Sequence, residues 1–157
     1  MNRALVISGG GSKGAFAVGV IKRLKKEYPN LEFDSYVGTS TGSLIVPLAA
    51  MGAYDLLEEL YTTQKTENII KKSNLGDRLN QHSVFDANPL WELIEQYYND
   101  DNYAILQASG KKIYLTTTCL QTSELVVFTN DPHPAQPDSY EVRTLLNADH
   151  FRKAVMA

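Results

Sequence analysis

Short apolar runs alternate along this chain with apolar residues at helical spacing, and the alternation predicts an α/β protein. Residues 3–8 and 33–37 are the first two apolar runs, and each is typical of a buried parallel strand. Between them, the segment from Ala15 to Glu27 is predicted to be an amphipathic helix. Its apolar residues at four-residue spacing, on the face expected to pack inward, are Phe16, Val20 and Leu24.

The segment 41–52 is apolar nearly all round, and a helix of that kind is expected to be central and buried. Pro47 lies inside it, where a missing N–H kinks a helix or costs about 3 kcal/mol unless the residue is near the first turn. Gly52 is a suitable C-cap. Polar residues 65–87 are predicted as connecting structure, and further helices are predicted at 54–64, Asn88 to Tyr98, 103–108 and from 148 to 157.

Two segments rich in β-branched and aromatic residues, 112–119 and 124–130, predict strands in the second half of the chain. The connection between them is short, which favours an antiparallel hairpin. Residues 131–139 hold three of the six prolines and are predicted to form an exposed loop. The pattern at 141–147 does not distinguish helix from strand.

The amino-acid composition limits the functions that are expected for this chain. The 157 residues are expected to form one domain, with 43% apolar and 21% charged residues, as in ordinary globular proteins. A net charge of −3 argues against a nucleic-acid-binding face. Cys119 is the single cysteine, so no internal disulfide is expected, and its apolar surroundings predict a buried thiol. The histidines are too scattered to suggest a metal site: His82, His133 and His150.

The N-terminal apolar run is too short for a signal peptide, and no run approaches the roughly 18 residues of a membrane span. A cytoplasmic location is therefore expected. The first predicted helix ends in a group of cations that complement its C-terminal dipole, with a membrane-facing patch as the alternative. These cations are Lys22, Arg23, Lys25 and Lys26.

Residues 38–42 read G-T-S-T-G and lie between a predicted strand and the apolar helix. In a G-x-S-x-G turn the strand reverses at one serine and enters a helix at once, which holds the serine hydroxyl above the sheet edge. The residues two positions away on either side come close together, which favours Gly38 and Gly42. Ser40 is therefore the candidate nucleophile, although the pattern alone also fits a plain loop that opens a helix.

Residues 9–14, G-G-G-S-K-G, follow the first strand and have three interpretations. A dinucleotide-binding loop needs an acidic residue at the end of the next strand, whereas Asp34 lies at its start. A Walker loop needs Gly-Lys-Ser/Thr, which the residues around Gly14 do not match. The third interpretation, an oxyanion hole, combines this loop with the serine turn in one mechanism, because both loops leave the same sheet edge. Its donors would be N–H groups of consecutive glycines beside a helix N-terminus.

The two motifs together resemble those of the patatin-like phospholipases. The resemblance rests on S-G-G-G-S-K-G, the helix A-F-A-V-G-V-I and G-T-S-T-G-S-L-I, and it is strong over residues 3–52. It implies a three-layer α/β/α fold in which residues 1–157 form the N-terminal part of one domain. It also implies a lipid acyl hydrolase with a Ser–Asp dyad, without metal or organic cofactor. The implied site residues are Ser40 as nucleophile, Gly9, Gly10 and Gly11 as oxyanion donors, and Lys13, Gly14, Gly38 and Gly42 as supporting positions.

The family's catalytic aspartate lies in a D-G-G or D-G-A motif after the serine, and no aspartate here is followed by glycine. We therefore expect the aspartate to lie beyond Ala157, the sheet to be incomplete, and this chain alone to be inactive. The aspartates without that context are Asp34, Asp55, Asp77, Asp86, Asp100, Asp101, Asp131, Asp138 and Asp149.

Two other functions remain open. A Ser-His-acid hydrolase would use His133 or His150 as its base. A catalytically inactive binding or regulatory module would follow from the missing aspartate. The expected partners are a lipid or ester substrate, a membrane surface and, through an exposed sheet edge, a second copy of the chain, but no nucleic acid.

Overall fold

The computed structural model describes residues 2–63, 71–72, 85–86 and 88–157. Most of the predicted connecting segment 65–87 lies outside these residues. The strands are β1 (Ala4–Ile7), β2 (Ser35–Thr39), β3 (Lys71–Lys72), β4 (Phe85–Asp86), β5 (Lys112–Thr118), β6 (Leu125–Thr129) and β7 (Glu141–Thr144). The helices are α1 (Gly14–Glu27), α2 (Thr41–Ala50), α3 (Tyr54–Thr63), α4 (Asn88–Tyr97), α5 (Asp100–Ala108) and α6 (Ala148–Met156).

Five strands form one mixed sheet in the order β1-β2-β5-β6-β7. β1, β2 and β5 are parallel, β6 is antiparallel to β5, and β7 is parallel to β6. The predicted hairpin of β5 and β6 is confirmed, and the ambiguous segment after residue 140 contains strand β7. Helices connect the parallel strands β1, β2 and β5, which is the α/β architecture that the motifs implied.

Burial alternates along the parallel strands. Ile7, Tyr36 and Leu115 are at most 8% exposed, and the strand register places them on one face of the sheet. These side chains share a single core with buried residues of α1, α2 and α6. Val6, on the other face of β1, is 67% exposed. The core therefore lies between the helices and one face of the sheet at these strands.

Helix α2 is the buried helix that its composition predicted, since nearly every residue after Ser43 is shielded from water. Pro47 lies in the second turn rather than the first, so the carbonyl of Ser43 receives no hydrogen bond from the residue four positions on. The helix ends before Gly52, whose φ is 77° and whose N–H donates to the Ala49 carbonyl over 3.1 Å. The C-cap residue itself is Met51, and Gly52 follows it with the positive φ that favours glycine at the end of a helix.

The predicted inward face of α1 is wrong. Phe16 is 78% exposed and Val20 is 46% exposed. The buried residues of the helix are instead Gly14, Val18 and Ile21. These three follow the same helical spacing as the predicted set, so periodicity alone did not distinguish the two faces.

Close contact at Gly14 sets the rotation of α1. A Cβ added to Gly14 would lie 2.5 Å from Cγ2 of Thr41 and 2.7 Å from Cε1 of Tyr61. The backbone of α1 therefore touches α2 and α3 at this point, and the residues four and seven positions later point the same way. A larger residue at position 14 would push the helix away.

The cations at the end of α1 mostly hold acidic partners. Lys22 pairs with Glu58, and Arg23 pairs with Glu27 at 2.9 Å. Lys25 pairs with Glu32 at 3.2 Å and donates to the Leu31 carbonyl at 2.8 Å. These contacts favour a structural role for the cluster over a membrane-facing one.

The predicted buried thiol is also wrong, because Cys119 is only half-buried. β5 ends at Thr118, so the cysteine begins the turn of the hairpin instead of continuing the strand. Its N–H donates to the Glu124 carbonyl over 2.9 Å, and its carbonyl accepts from Ser123. Across the described ranges, no helix has the length and apolar character needed to cross a bilayer.

Candidate active site

Ser40 forms the turn between β2 and α2. The strand ends at Thr39 and the helix begins at Thr41, so one residue makes the whole reversal. Its backbone has φ 53° and ψ −123°, a conformation that is strained for any residue with a side chain. The first turn is closed by the N–H of Ser43, which donates to the Ser40 carbonyl over 2.7 Å. The predicted sharp strand-to-helix turn is therefore present.

The two glycines that flank the serine allow close backbone contacts. A Cβ on Gly38 would lie 2.5 Å from the Gly42 carbonyl oxygen. A Cβ on Gly42 would overlap the carbonyl oxygen of Ile7 in β1. The first contact is the predicted approach across the turn, and the second packs the start of α2 directly against the neighbouring strand.

The glycine loop lies against the serine. A Cβ added to Gly9 would be 2.9 Å from Cβ of Ser40 and 3.4 Å from its Oγ. Gly11 has φ 56°, and its carbonyl accepts a hydrogen bond from Oγ1 of Thr41 over 3.3 Å. The two sequence motifs therefore meet in the fold, and Thr41 joins them.

Donors remain available around this loop. The N–H of Lys13 donates to the Gly10 carbonyl over 3.1 Å, whereas the amides of Gly10 and Gly11 have no acceptor within the described chain. The Lys13 side chain is exposed and forms no ion pair with any described residue. Its position at the end of a short 3₁₀ turn, before buried Gly14, places it at the rim of the site.

A pair of threonines supports the strand that enters the turn. Thr39 and Thr116 are partners in the register of β2 and β5, and their Oγ1 atoms lie 2.5 Å apart. Oγ1 of Thr116 also donates to the Gly38 carbonyl over 3.3 Å. Because a hydroxyl has one proton, Thr39 is then the donor within the pair. Sequence reasoning missed Thr116, since nothing local indicates that position 116 lies beside position 39.

A cavity of about 760 Å³ opens beside Ser40. This volume is within the usual range for small-molecule sites. Its walls are mainly apolar side chains from α2, α3, α4 and α6. They include Leu44, Leu48, Leu60, Leu90, Leu93, Ile94 and Val155.

Tyrosines contribute polar atoms to the cavity wall, together with serines and threonines. Tyr98 is buried, and its hydroxyl donates to the Leu44 carbonyl. Burial raises the pKa of Tyr98 well above its ordinary value, and burial likewise raises the pKa of Tyr61. Both phenols are therefore neutral at pH 7 and are unsuited to accept a proton from the serine.

No side-chain carboxylate or imidazole is found among the described residues that line the cavity. His133 follows β6, which runs antiparallel to β5 and ends beside Tyr114, at the sheet edge opposite Ser40. His150 lies in the first turn of α6, whereas the last turn of that helix lines the cavity. The structure therefore separates both of these histidines from the serine, and His82 lies outside the described residues.

Comparison with known proteins identifies a family. The sequence model of the family Patatin-like phospholipase matches residues 5–157. The cUMP-AMP-activated phospholipase of Escherichia coli is 39% identical over 64 residues, which are 38% of this chain and 20% of that protein. The matched region is thus about a fifth of that relative's length. No solved structure matches the chain significantly. Since the family match extends from β1 through α6, the chain belongs to the patatin-like phospholipases.

Proposed function

We propose that this chain carries the nucleophile and oxyanion-binding groups of a lipid acyl hydrolase, with Ser40 as the nucleophile. The observation that carries the proposal is the strained turn at Ser40, which faces a glycine loop on one side and an apolar cavity on the other. Strain of this kind is typical of functional sites, because it costs about 1–3 kcal/mol that a plain loop would avoid.

The reaction begins when a base takes the proton of the Ser40 hydroxyl and Oγ attacks the ester carbonyl carbon. The unpaired amides of Gly10 and Gly11 hold the oxyanion, with the amides of Gly9 and Thr41 adjacent to it. The C–O bond then breaks, and the alcohol leaves with the proton held by the base. Water hydrolyses the acyl-serine in the second half-reaction, which releases the fatty acid and restores Ser40.

The base in this proposal is an aspartate outside these 157 residues, as in the Ser–Asp dyad of the family. Support comes from the cavity wall, where the described residues include no aspartate, glutamate or histidine. A serine hydroxyl is a weak nucleophile at pH 7 without a partner to accept its proton. The chain alone is therefore expected to be without significant turnover.

The cavity is proposed to hold the acyl chain of the substrate. Its walls are built from leucine, isoleucine and valine side chains, which favour a hydrocarbon over a polar group. Leu44 lies in the first turn of α2, directly after the serine turn, so the apolar wall begins beside the reacting atom. The proposed substrate class is a fatty acyl ester such as a phospholipid.

Hydrolysis of a short-chain nitrophenyl ester at pH 8 tests the proposal, with Ser40→Ala as the reference. We expect the wild-type chain to show no turnover above that reference. Turnover that disappears in Ser40→Ala would place a base within the chain and contradict the external aspartate. A loss of 10³-fold or more in His133→Ala or His150→Ala would instead support a Ser-His mechanism. Turnover that persists in Ser40→Ala would contradict the nucleophile itself.

A second candidate function is a catalytically inactive module that binds a lipid acyl chain. The same lack of a base in the described cavity wall favours it. The two functions differ when the Ser40 hydroxyl meets a reactive phosphonate. A hydrolase site is expected to form a covalent adduct at Ser40, whereas a binding module would bind a fluorescent fatty acid but would not form the adduct.

A further inference from the structure

An exposed leucine lies at the mouth of the cavity. Leu120 is 92% exposed, follows β5 in the hairpin turn, and contributes to the lining of the cavity beside Ser40. A leucine that is almost fully in water gains little free energy from burial within the described part of the chain. Its position beside an apolar cavity makes it different from an isolated surface leucine.

Two more apolar side chains lie at the same edge of the sheet. Leu125 begins β6 opposite Thr118, the last residue of β5, and is 43% exposed. Phe16 lies in the first turn of α1, directly after the cavity residue Ala15, and is 78% exposed. Because β1 and β5 are both parallel to β2, all three lie around the edge at which Ser40 is found.

A cation lies at the same rim. Lys13 is exposed in the glycine loop and has no ion-pair partner among the described residues. Lys22 and Lys25, farther along α1, are both paired with glutamates. The rim of the cavity therefore combines exposed apolar side chains with one positive charge that has no ion-pair partner among the described residues, and each basic residue beside an apolar surface favours contact with an anionic bilayer.

We propose that this rim, defined as Lys13, Phe16, Leu120 and Leu125, docks on the surface of an anionic lipid bilayer. The apolar side chains enter the interfacial region, Lys13 meets the lipid phosphates, and the cavity mouth then faces the membrane. This inference rests on the proposed function for its choice of a lipid partner. Continuity between the rim and the apolar cavity favours a bilayer over a second copy of the chain.

Sedimentation with vesicles tests the proposal, using the 157-residue chain with Ser40→Ala so that no hydrolysis is involved. Vesicles of phosphatidylglycerol and phosphatidylcholine are compared with phosphatidylcholine alone. We expect Leu120→Ser to lower the partition coefficient roughly tenfold, since one leucine side chain leaves the interface. Lys13→Gln is expected to lower binding to the anionic vesicles roughly fivefold and to reduce its sensitivity to salt.

The matched control is Leu146→Ser. Leu146 is 71% exposed and follows β7, which ends at the opposite edge of the sheet, so this change is expected to alter binding less than twofold. Equal effects of Leu120→Ser and Leu146→Ser would overturn the proposal, and so would a chain that binds neither kind of vesicle. A Leu120→Ser variant that loses only self-association, measured by light scattering, would assign the rim to a second copy instead. Since binding is measured without catalysis, failure of the proposed hydrolase activity would leave this result unchanged.

Discussion

At the scale of single residues, the site depends on backbone positions that exclude side chains. Ser40 adopts a positive φ, and hydrogen bonds on both sides hold it: from Ser43 to its carbonyl and from Thr116 to the Gly38 carbonyl. Gly42 touches Ile7 so closely that no side chain fits between them. The surrounding contacts therefore offset the strain at the serine.

Alanine substitutions at two glycines distinguish a glycine that is required by a close contact from one that only makes the helix backbone more flexible. In Gly42→Ala the added methyl group would overlap the Ile7 carbonyl, and we expect a loss of about 3 kcal/mol in the free energy of unfolding. In Gly19→Ala the methyl group meets nothing within 4 Å on α1, and we expect a gain of about 0.5–1 kcal/mol. Urea denaturation measures both. Equal effects of the two changes would contradict the close contact.

The oxyanion assignment predicts a change in reactivity without a change in stability. Gly10 has φ 174°, which any residue adopts, and a Cβ there would lie 3.3 Å from Cβ of Lys13. We expect Gly10→Ala to slow phosphonylation of Ser40 roughly 10²-fold, because the methyl group displaces the donors around the oxyanion. The melting temperature should change little. If Gly10→Ala is labelled as fast as the Gly19→Ala control, the assignment of the oxyanion hole to this loop is contradicted.

At the scale of elements, α1 shows that a helical sequence pattern does not decide which face of the helix packs inward. Its two apolar stripes have the same period, and the choice between them depends on Gly14 touching Thr41 and Tyr61. Those residues are far along the chain, so the contact has no local signal. The serine turn was predictable because Gly38, Ser40 and Gly42 are adjacent in sequence. Thr116 was not, because only the pairing of β2 with β5 brings it there.

The rotation of α1 predicts unequal effects of two truncations. Ile21 is 5% exposed within the core, and Ile21→Ala is expected to lower the free energy of unfolding by about 2–5 kcal/mol. Phe16 is mostly in water, and Phe16→Ala is expected to change it by less than about 0.5 kcal/mol. Chemical denaturation of both variants provides the comparison. If Phe16→Ala lowers the free energy of unfolding more than Ile21→Ala does, the inward face predicted from periodicity would be the correct one.

At the scale of the whole molecule, the far edge of the sheet is held by a buried carboxylate. Asp131 accepts hydrogen bonds from Lys112 over 2.9 Å, from Tyr114 over 2.8 Å and from the His133 amide over 3.0 Å. Burial alone would raise the pKa of the Asp131 carboxyl, but these donors outweigh it and hold the pKa below its usual value. The carboxylate joins β5 to the loop after β6.

This pairing predicts the dependence of stability on pH. Because the folded pKa of Asp131 is lowered, its contribution is complete above the unfolded value of about 3.9 and is lost as pH falls through the folded pKa. We expect Asp131→Asn to lower stability at pH 7 by about 1–3 kcal/mol and to weaken the decline below pH 4. Thermal melts from pH 2 to pH 7 measure the stability of both proteins, with Asp138→Asn as the control because Asp138 is exposed. Parallel curves for Asp131→Asn and wild type would contradict the network.

The central claim is that Ser40 is the nucleophile, and the most direct measurement is the site and rate of labelling by a fluorophosphonate. In this reaction Oγ displaces fluoride from phosphorus, and mass spectrometry of the peptides locates the adduct. We predict labelling at Ser40 alone, not at Ser8, Ser12 or Ser43, with a rate that rises roughly tenfold per pH unit because no aspartate, glutamate or histidine is found among the described residues of the cavity wall. An adduct on another serine, or labelling that persists in Ser40→Ala, would contradict the account.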